Sequence, residues 1–183
     1  NNGDGTFTDF APLWDLDIYI CAMTSSFSDY DKDGDMDLYV TNCDAPNYLL
    51  RNDLNTSGVF EEVGAQEEVE VGQISWGASW FDHNNDTWPD LYVATGITVY
   101  TEIPLVFDFY GYLPNQFFVN QGTSPMTNAS SSTPEIDQFS FAVATGDYNN
   151  DGFPDIVSHQ VGDSAIVLAG IPNDNHYIKI RPQ

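Results

Sequence analysis

Three stretches of the chain place oxygen-bearing side chains at a spacing that suits a metal-binding loop. In the first, positions 1, 3, 5 and 9 of a nine-residue segment are Asp29, Asp31, Asp33 and Asp37. Alternate residues of a tight loop point inward, so these carboxylates and the backbone carbonyl at position 7 can surround one hard cation. Gly34 at position 6 permits the positive φ that wraps the chain around an ion. The pattern predicts a Ca²⁺ site, because a flexible, carboxylate-rich cage suits calcium better than magnesium.

Two more segments repeat this spacing, with Asn in place of Asp at position 3. Their ligand positions hold Asp82, Asn84, Asp86 and Asp90 in the second copy and Asp147, Asn149, Asp151 and Asp155 in the third. Three acidic turns of one design are poorly explained as ordinary solvated turns, because crowded carboxylates without a cation repel each other. Thr87 replaces the glycine of the second copy, and a β-branched residue resists positive φ. We therefore expect up to three Ca²⁺ ions, with the second site the least secure.

An EF-hand opens with the same spacing but ends differently. It needs a bidentate Glu at position 12 that leads into a helix. Position 12 is Val40, Val93 and Ser158 in the three copies. None of these can act as that ligand, so the Asp at position 9 is expected to close each site between β-strands.

The segments that flank the loops have the periodicity of strands. Runs of small and aromatic residues precede the second and third loops, and an apolar run follows each loop. Residues 47–52 and 58–63 supply a third and fourth run in the first copy, and residues 115–120 supply the third run of the second copy. One strand, an acidic loop and three further strands form a four-stranded blade of the β-propeller type.

The copies lie roughly 50 to 65 residues apart, a period that suits a repeated sheet unit. The sequence therefore predicts an all-β fold with about three four-stranded blades, incomplete or part of a larger propeller. The predicted parts are 1–14 as the end of a preceding blade, and blades at 21–64, 74–134 and 139–183, each with one calcium loop. Residues 97–114 are predicted to be an elaborated loop between strands, and residues 121–134 an exposed excursion.

The composition excludes several classes of partner. The 28 acidic residues outnumber the 4 basic ones and give a net charge of −24, which argues against binding to nucleic acid. With 42% hydrophobic residues the chain can nevertheless build a core. No apolar run approaches the ~18 residues needed to span a bilayer, so direct membrane insertion is not expected. The first residues resemble neither an initiator Met nor a signal peptide, so we expect a mature piece or an excised segment.

The cysteines and the glycosylation triplets leave alternatives open. Cys21 and Cys43 flank the first loop, so they are either one disulfide across a hairpin or two buried free thiols. Asn55 and Asn128 begin N-glycosylation acceptor triplets. Asn85 begins a third triplet, but a glycan inside the second loop would obstruct the ion, so we expect Asn85 to be unmodified.

The sequence contains no recognisable catalytic motif. There is no nucleophile elbow and no phosphate loop, and the three histidines, His83, His159 and His176, lack the spacing of a zinc site. Carboxylates bound to a metal are unavailable as general acids. We therefore expect no catalytic residues and no enzymatic activity.

The acidic loops followed by Leu-Tyr-Val or its equivalent resemble the FG-GAP/VCBS repeat of integrin-α-type β-propellers. Residues 2–9, 46–52 and 175–181 are similar to the subgroup that leads into an ASPIC/UnbV segment, as in the cartilage acidic protein group. The resemblance assigns the calcium ligands to the same side chains and adds the backbone carbonyl oxygens of Asp35, Trp88 and Phe153. A closed propeller of this family needs about six to eight blades, so the chain is part of a longer protein or is completed by neighbouring copies.

This resemblance implies a non-catalytic, calcium-binding segment of a secreted, extracellular or cell-surface protein. Its role would be adhesion, surface interaction or structural assembly, with a protein or glycan ligand. Two alternatives stay open. One is a propeller domain of a polysaccharide-active enzyme, a lyase or a dehydratase. The other is a fibre subunit that self-assembles through open blade edges.

Overall fold

The computed structural model describes residues 1–43, 46–72, 74–96, 114–134, 139–160 and 162–178. These residues form eleven strands and two short 3₁₀ helices. The strands of the first sheet, blade 1, are β1 (Ala22–Ser28), β2 (Asp37–Asn42), β3 (Tyr48–Asn52) and β4 (Phe60–Glu62). Those of blade 2 are β5 (Ser75–Phe81), β6 (Asp90–Thr95), β7 (Gln116–Val119) and β8 (Thr127–Asn128). Those of blade 3 are β9 (Ser140–Gly146), β10 (Asp155–Gln160) and β11 (Ile166–Leu168).

Each blade is an antiparallel meander in which neighbours in sequence are neighbours in the sheet. The first two strands pair in the same register in all three blades, with Ser28 opposite Asp37, Phe81 opposite Asp90 and Gly146 opposite Asp155. The acidic segments therefore form the tight connection between the first and second strands. The all-β prediction with propeller-type blades is confirmed, with four, four and three strands in the part of the chain described.

The blades pack face to face in chain order. The interface of blades 1 and 2 buries Tyr39 and Leu49 against Leu91 and Phe118, together with Val69 from the connecting segment. A second cluster lies between blades 2 and 3 and contains Tyr92, Phe117, Val119 and Ile156. Buried aromatic and branched side chains of this kind supply the main stabilising term of stacked sheets.

Strands β5 and β9 approach so closely at Gly77 that a side chain there would have to push the facing backbone away. A Cβ on Gly77 would lie 3.0 Å from the amide nitrogen of Val143 and 3.2 Å from the Cα of Ala142. These are backbone atoms that cannot rotate away, so the absence of a side chain at Gly77 sets the spacing of blades 2 and 3.

A polar connector joins successive blades through a buried asparagine. The Asn47 amide donates to the Tyr39 hydroxyl and to the Ser75 hydroxyl on blade 2, both at 3.0 Å. The next interface repeats this arrangement with Asn115, Tyr92 and Ser140, at 2.9 Å each. Because a buried amide without partners is costly, these bonds specify how one blade sits on the next.

The outer face of blade 1 is covered by the segment that leads into β1. Trp14, Leu16, Ile18 and Ile20 pack on the buried residues of this face, and the Phe60 amide donates to the Trp14 carbonyl at 2.9 Å. The cover is incomplete, since Phe27 on β1 remains 62% exposed.

Three stretches need comment against the sequence predictions. Residues 121–134 are not merely an exposed excursion, because they contribute β8, the 3₁₀ helix Ser130–Ser132 and the buried Met126. Residues 1–14 contain the 3₁₀ helix Ala11–Leu13 and no strand, so their assignment as the end of a preceding blade stays a prediction. The predicted loop 97–114 lies outside the described residues except for Pro114. Among the described residues, no helix is long and apolar enough to cross a membrane.

Candidate metal centre

The three acidic segments, named loop 1 (29–37), loop 2 (82–90) and loop 3 (147–155), share one backbone path. Positions 4 and 6 have positive φ in all of them. The angles are 60° and 96° at Lys32 and Gly34, 59° and 78° at Asn85 and Thr87, and 63° and 93° at Asn150 and Gly152. Thr87 thus adopts the left-handed conformation that a β-branched residue was expected to resist. The missing glycine does not change the path of loop 2.

The Asp at position 9 ties each loop to the third strand of its blade. In each, one carboxylate oxygen accepts a hydrogen bond from the position 2 amide at 2.9 to 3.0 Å. The other accepts one at 2.8 Å from a backbone amide at or just beyond the end of the third strand. Asp37, Asp90 and Asp155 are at most 1% exposed. Burial raises the pKa of Asp37 to about 6, opposed by its two backbone hydrogen bonds.

Loop 1 gathers three carboxylates around one point. Single ligand oxygens of Asp29, Asp31 and Asp37 all lie within 4.8 Å of one another. The Asp29 Oδ1 atom is buried and has no hydrogen-bond partner among the described residues. Burial is the largest cause of a raised pKa at Asp31, and the charges of Asp33 and Asp29 add to it. Converging carboxylates with an orphaned buried oxygen fit a hard cation such as Ca²⁺, which these three side chains would hold.

Two other predicted residues of loop 1 lie outside this cluster. The Asp33 carboxylate is exposed and accepts a hydrogen bond from the Asp35 amide at 2.9 Å. The Asp35 carboxylate accepts one from the Asn55 side chain at 2.6 Å. Of the four predicted side-chain ligands of loop 1, the structure brings together those at positions 1, 3 and 9.

In loops 2 and 3, the side chains at positions 1, 3 and 5 form hydrogen bonds within their own loop. The position 1 residues, Asp82 and Asp147, accept hydrogen bonds from the backbone amides at positions 5 and 6, at 2.7 to 3.1 Å. The Asn84 amide donates to Asp86 at 3.0 Å, and the Asn149 amide donates to Asp151 at 2.9 Å. In both loops the position 3 asparagine therefore donates to the position 5 carboxylate. Within the described residues, three carboxylates converge only in loop 1.

Sequence reasoning missed the role of His83, which occupies position 2 of loop 2. Its Nδ1 atom lies 2.7 Å from Asp90 Oδ2, and this hydrogen bond raises the pKa of His83. The equivalent residues are Tyr30 and Tyr148. The position 2 amide bonds to the position 9 carboxylate in every loop, so a polar side chain at position 2 is the signal that could have revealed this pair.

The loops also contact one another, from position 4 of one to position 6 of the next. Lys32 of loop 1 donates to the Thr87 hydroxyl of loop 2, and its Nζ atom lies 4.1 Å from the centre of a Trp88 ring. The Asn85 amide of loop 2 donates to the Gly152 carbonyl of loop 3 at 3.0 Å. Thr87 thus supplies an acceptor that glycine lacks. Asn85, expected to be unmodified, has its amide nitrogen engaged between two loops.

The hairpin that carries loop 1 is closed at its other end by a disulfide. Cys21 and Cys43 are bonded, with their Cα atoms 5.3 Å apart, which decides between the two alternatives left open by the sequence. Asn55 and Asn128, the two candidate glycosylation sites, are both exposed, and their modification stays a prediction. The predicted carbonyl ligands Asp35, Trp88 and Phe153 occupy position 7 of the three loops.

Comparison with known proteins agrees with this geometry. Residues 29–93, which run from loop 1 through blade 1 and the first hairpin of blade 2 as far as Val93, match the family of FG-GAP-like repeats. No curated protein sequence matches the chain, and the finer resemblance to the ASPIC/UnbV group is not confirmed. The chain therefore contains an FG-GAP-like repeat at residues 29–93, folded as blades of the β-propeller type.

Proposed function

We propose that this chain is a calcium-stabilised, non-catalytic segment of an extracellular β-propeller-type protein that serves adhesion, surface interaction or structural assembly. The observation that carries the proposal is the acidic cluster of loop 1. Three carboxylates lie within 4.8 Å and one buried oxygen, Asp29 Oδ1, lacks a donor. Such a cluster is unfavourable until a cation neutralises it.

Calcium would act on folding rather than on chemistry. Loop 1 joins β1 to β2, and Asp37 holds it to the end of β3. An ion bound by Asp29, Asp31 and Asp37 would therefore link the entire hairpin to the rest of blade 1. Since such a site does not exist in the unfolded chain, binding stabilises the folded state.

Two features support an extracellular location. The disulfide between Cys21 and Cys43 is of the kind that persists in oxidising compartments. The net charge of −24 is consistent with a soluble, calcium-neutralised surface.

Calorimetric melting with and without calcium tests the proposal. An ion at ~1,000 times its dissociation constant adds about 4 kcal/mol to the free energy of unfolding. In a chain of this size, each kcal/mol of stability shifts Tm by ~2–4 °C. We expect excess EDTA to lower Tm by about 8–16 °C and Ca²⁺ to restore it, whereas the same concentration of Mg²⁺ restores less. The variant Asp17→Asn, which removes an exposed carboxylate outside the loops, should behave as the parent does. An unchanged Tm in EDTA would contradict the proposal.

Assembly through the outer face of blade 1 is a second candidate, favoured by the apolar residues it exposes. Phe27 and Met23 on β1 and Leu13 beside the covering segment are solvent-exposed. An uncovered sheet face of this kind favours a partner or a second copy. Light scattering across a dilution series should detect self-association that Phe27→Ser weakens. A monomer at all concentrations argues against self-assembly.

The polysaccharide-active enzyme is the remaining alternative, and a direct assay separates it from the proposal. Uronic-acid polysaccharides incubated with the calcium-loaded protein should stay intact. Release of unsaturated or dehydrated sugars would contradict the non-catalytic role.

A further inference from the structure

A small pocket lies between blades 1 and 2, beside loop 1, and Asp31 of the loop 1 carboxylate cluster is part of its lining. Its volume is about 270 Å³, and its lining includes Tyr30, Arg51, Glu67, Trp88 and Thr123. At ~30 Å³ per water molecule, it has room for a single side chain or a compound of similar size. It is too small for an extended chain or a nucleotide.

Glu67 is the unusual member of this lining. Glu67 is 4% exposed, and no described residue donates a hydrogen bond to its carboxylate or forms an ion pair with it. Arg51, the basic residue among those that line the pocket, is already paired with Asp53 at 2.8 Å and Glu61 at 2.7 Å. A carboxylate with so little exposed surface and no partner among the described residues is stabilised by a neighbouring positive charge. A group that brings positive charge into the pocket would supply this partner.

Glu67 does not join Asp29, Asp31 and Asp37 in the group of carboxylates whose ligand oxygens approach within 4.8 Å of one another. The pocket is therefore lined by one carboxylate of that group, Asp31, and by one outside it, Glu67.

The surroundings of Glu67 suit an organic cation better than a metal ion. Calcium requires about six to eight oxygen ligands at short distance, and Glu67 belongs to no described group of three converging carboxylates. The lining instead presents aromatic rings and hydroxyl groups, from Tyr30, Trp88, Thr123 and Ser124. A carboxylate, aromatic edges and hydroxyl acceptors are the groups that recognise an ammonium or guanidinium ion.

We propose that the pocket between blades 1 and 2 binds an ammonium or guanidinium group, with the Glu67 carboxylate as its counter-ion. The net charge of −24 concentrates cations near the surface. A free amine or guanidine and a basic side chain of a protein partner both carry such a group, and the chemistry at Glu67 is the same for both.

Titration of the calcium-saturated protein with two guanidinium probes, followed by ¹H–¹⁵N NMR, tests this site. The first probe is ethylguanidinium, and the second is arginine capped at both ends as in a protein. We expect saturable shifts confined to the amides around Glu67 and Thr123. Tighter binding of the capped arginine would identify a protein side chain as the source, and tighter binding of ethylguanidinium would identify a free compound.

Two variants make the test specific. Glu67→Gln removes the charge and should weaken binding of either probe at least tenfold. Glu68→Gln removes the charge of its exposed neighbour and should leave binding unchanged. Equal affinity in Glu67→Gln and the parent would overturn the proposal.

The wild-type titration decides the matter even if Glu67→Gln does not fold. Absence of saturable shifts in the pocket at millimolar probe would overturn the proposal. Loss of one bound Ca²⁺ in Glu67→Gln, with no binding of the probes, would also overturn it and assign the pocket to a metal. Melting in EDTA measures the calcium site of loop 1 by itself, so failure of the pocket proposal and failure of the calcium proposal are distinguishable.

Discussion

Replacing Asp29 by Asn should stabilise the protein without calcium, and calcium should cancel or reverse that gain. Without the ion, Asp29 lies in a group with Asp31 and Asp37 whose ligand oxygens are within 4.8 Å. Two charges at that distance repel by about 1 kcal/mol in water and about 3.5 kcal/mol at an effective dielectric constant of ~20. Asp29 Oδ1 has no donor to lose. Asp29→Asn should therefore raise the free energy of unfolding in EDTA by about 1–3 kcal/mol.

With calcium this gain is cancelled or reversed, because the substitution removes a charged ligand. At ~1,000 times the dissociation constant, the ion contributes about 4 kcal/mol to the parent protein. If Asp29→Asn weakens binding about a hundredfold, about 2.7 kcal/mol of that contribution disappears. Set against the gain of about 1–3 kcal/mol from relieved repulsion, this loss leaves the variant in calcium between about 1.7 kcal/mol less stable than the parent and about as stable, whereas it is more stable in EDTA.

Asp37→Asn is the contrasting variant for this measurement. Both Asp37 oxygens accept backbone hydrogen bonds, from Tyr30 and Asn52, and asparagine keeps only one acceptor oxygen and places an NH₂ against the other amide. Asp37→Asn should therefore lose about 1–3 kcal/mol in EDTA and more in calcium, because it also removes a ligand of the ion. Urea unfolding of the three proteins, each with excess EDTA and with excess Ca²⁺, provides the comparison. If Asp29→Asn is destabilising by the same amount in both buffers, the reasoning about loop 1 is refuted.

Three further predictions concern the scaffold. Gly77→Ala should lower the free energy of unfolding in urea by about 1–3 kcal/mol, because the new Cβ meets backbone atoms of β9. The control Gly146→Ala, where a Cβ would have no atom within 4 Å, should be close to neutral. Equal effects of the two substitutions would contradict the close approach. Replacing Cys21 and Cys43 by Ser should cost about 3 kcal/mol for a separation of 22 residues, and an unchanged midpoint would argue against the bond. Asn47→Ala leaves the Tyr39 and Ser75 hydroxyls without this partner and should lower the free energy of unfolding by about 1–3 kcal/mol. An unchanged Tm in calorimetry would contradict this prediction.

Sequence alone predicted the blades and the loops because their signals are local. A ligand at every second residue and a strand after position 9 can be read along the chain, as in Asp29 to Asp37. Strand periodicity placed β3 and β7 within one residue, as the predicted runs 47–52 and 115–120 show. Part of the loop backbone also follows from local chemistry, because glycine at position 6 indicates a left-handed residue there. Position 4 is left-handed as well, but no glycine marks it in the sequence.

Contacts between distant parts of the chain were beyond the sequence. The connector from Asn47 to Ser75 and the bond from Lys32 to Thr87 join different blades. Nothing near Glu67 in the sequence indicates its burial. The disulfide stayed open because β1 carries an irregularity between Ala22 and Ser25, so the residue opposite Cys43 could not be counted reliably.

Composition misled the prediction at the end of blade 2. Strand β8 has only two residues, Thr127 and Asn128, too few for alternation to be visible. The Ser- and Thr-rich surroundings indicated a solvated loop. Pairing of β8 with β7 and burial of Met126 against the core outweigh that local preference.

Native mass spectrometry of the chelator-stripped protein, titrated with Ca²⁺, tests the central claim most directly. The protein should bind at least one Ca²⁺ and at most three. Asp29→Asn should lose the ion bound most tightly, because loop 1 is the loop in which three carboxylates converge. A protein that binds no Ca²⁺ at millimolar concentration, or an Asp29→Asn variant that binds as many ions with the same affinity, would contradict the account.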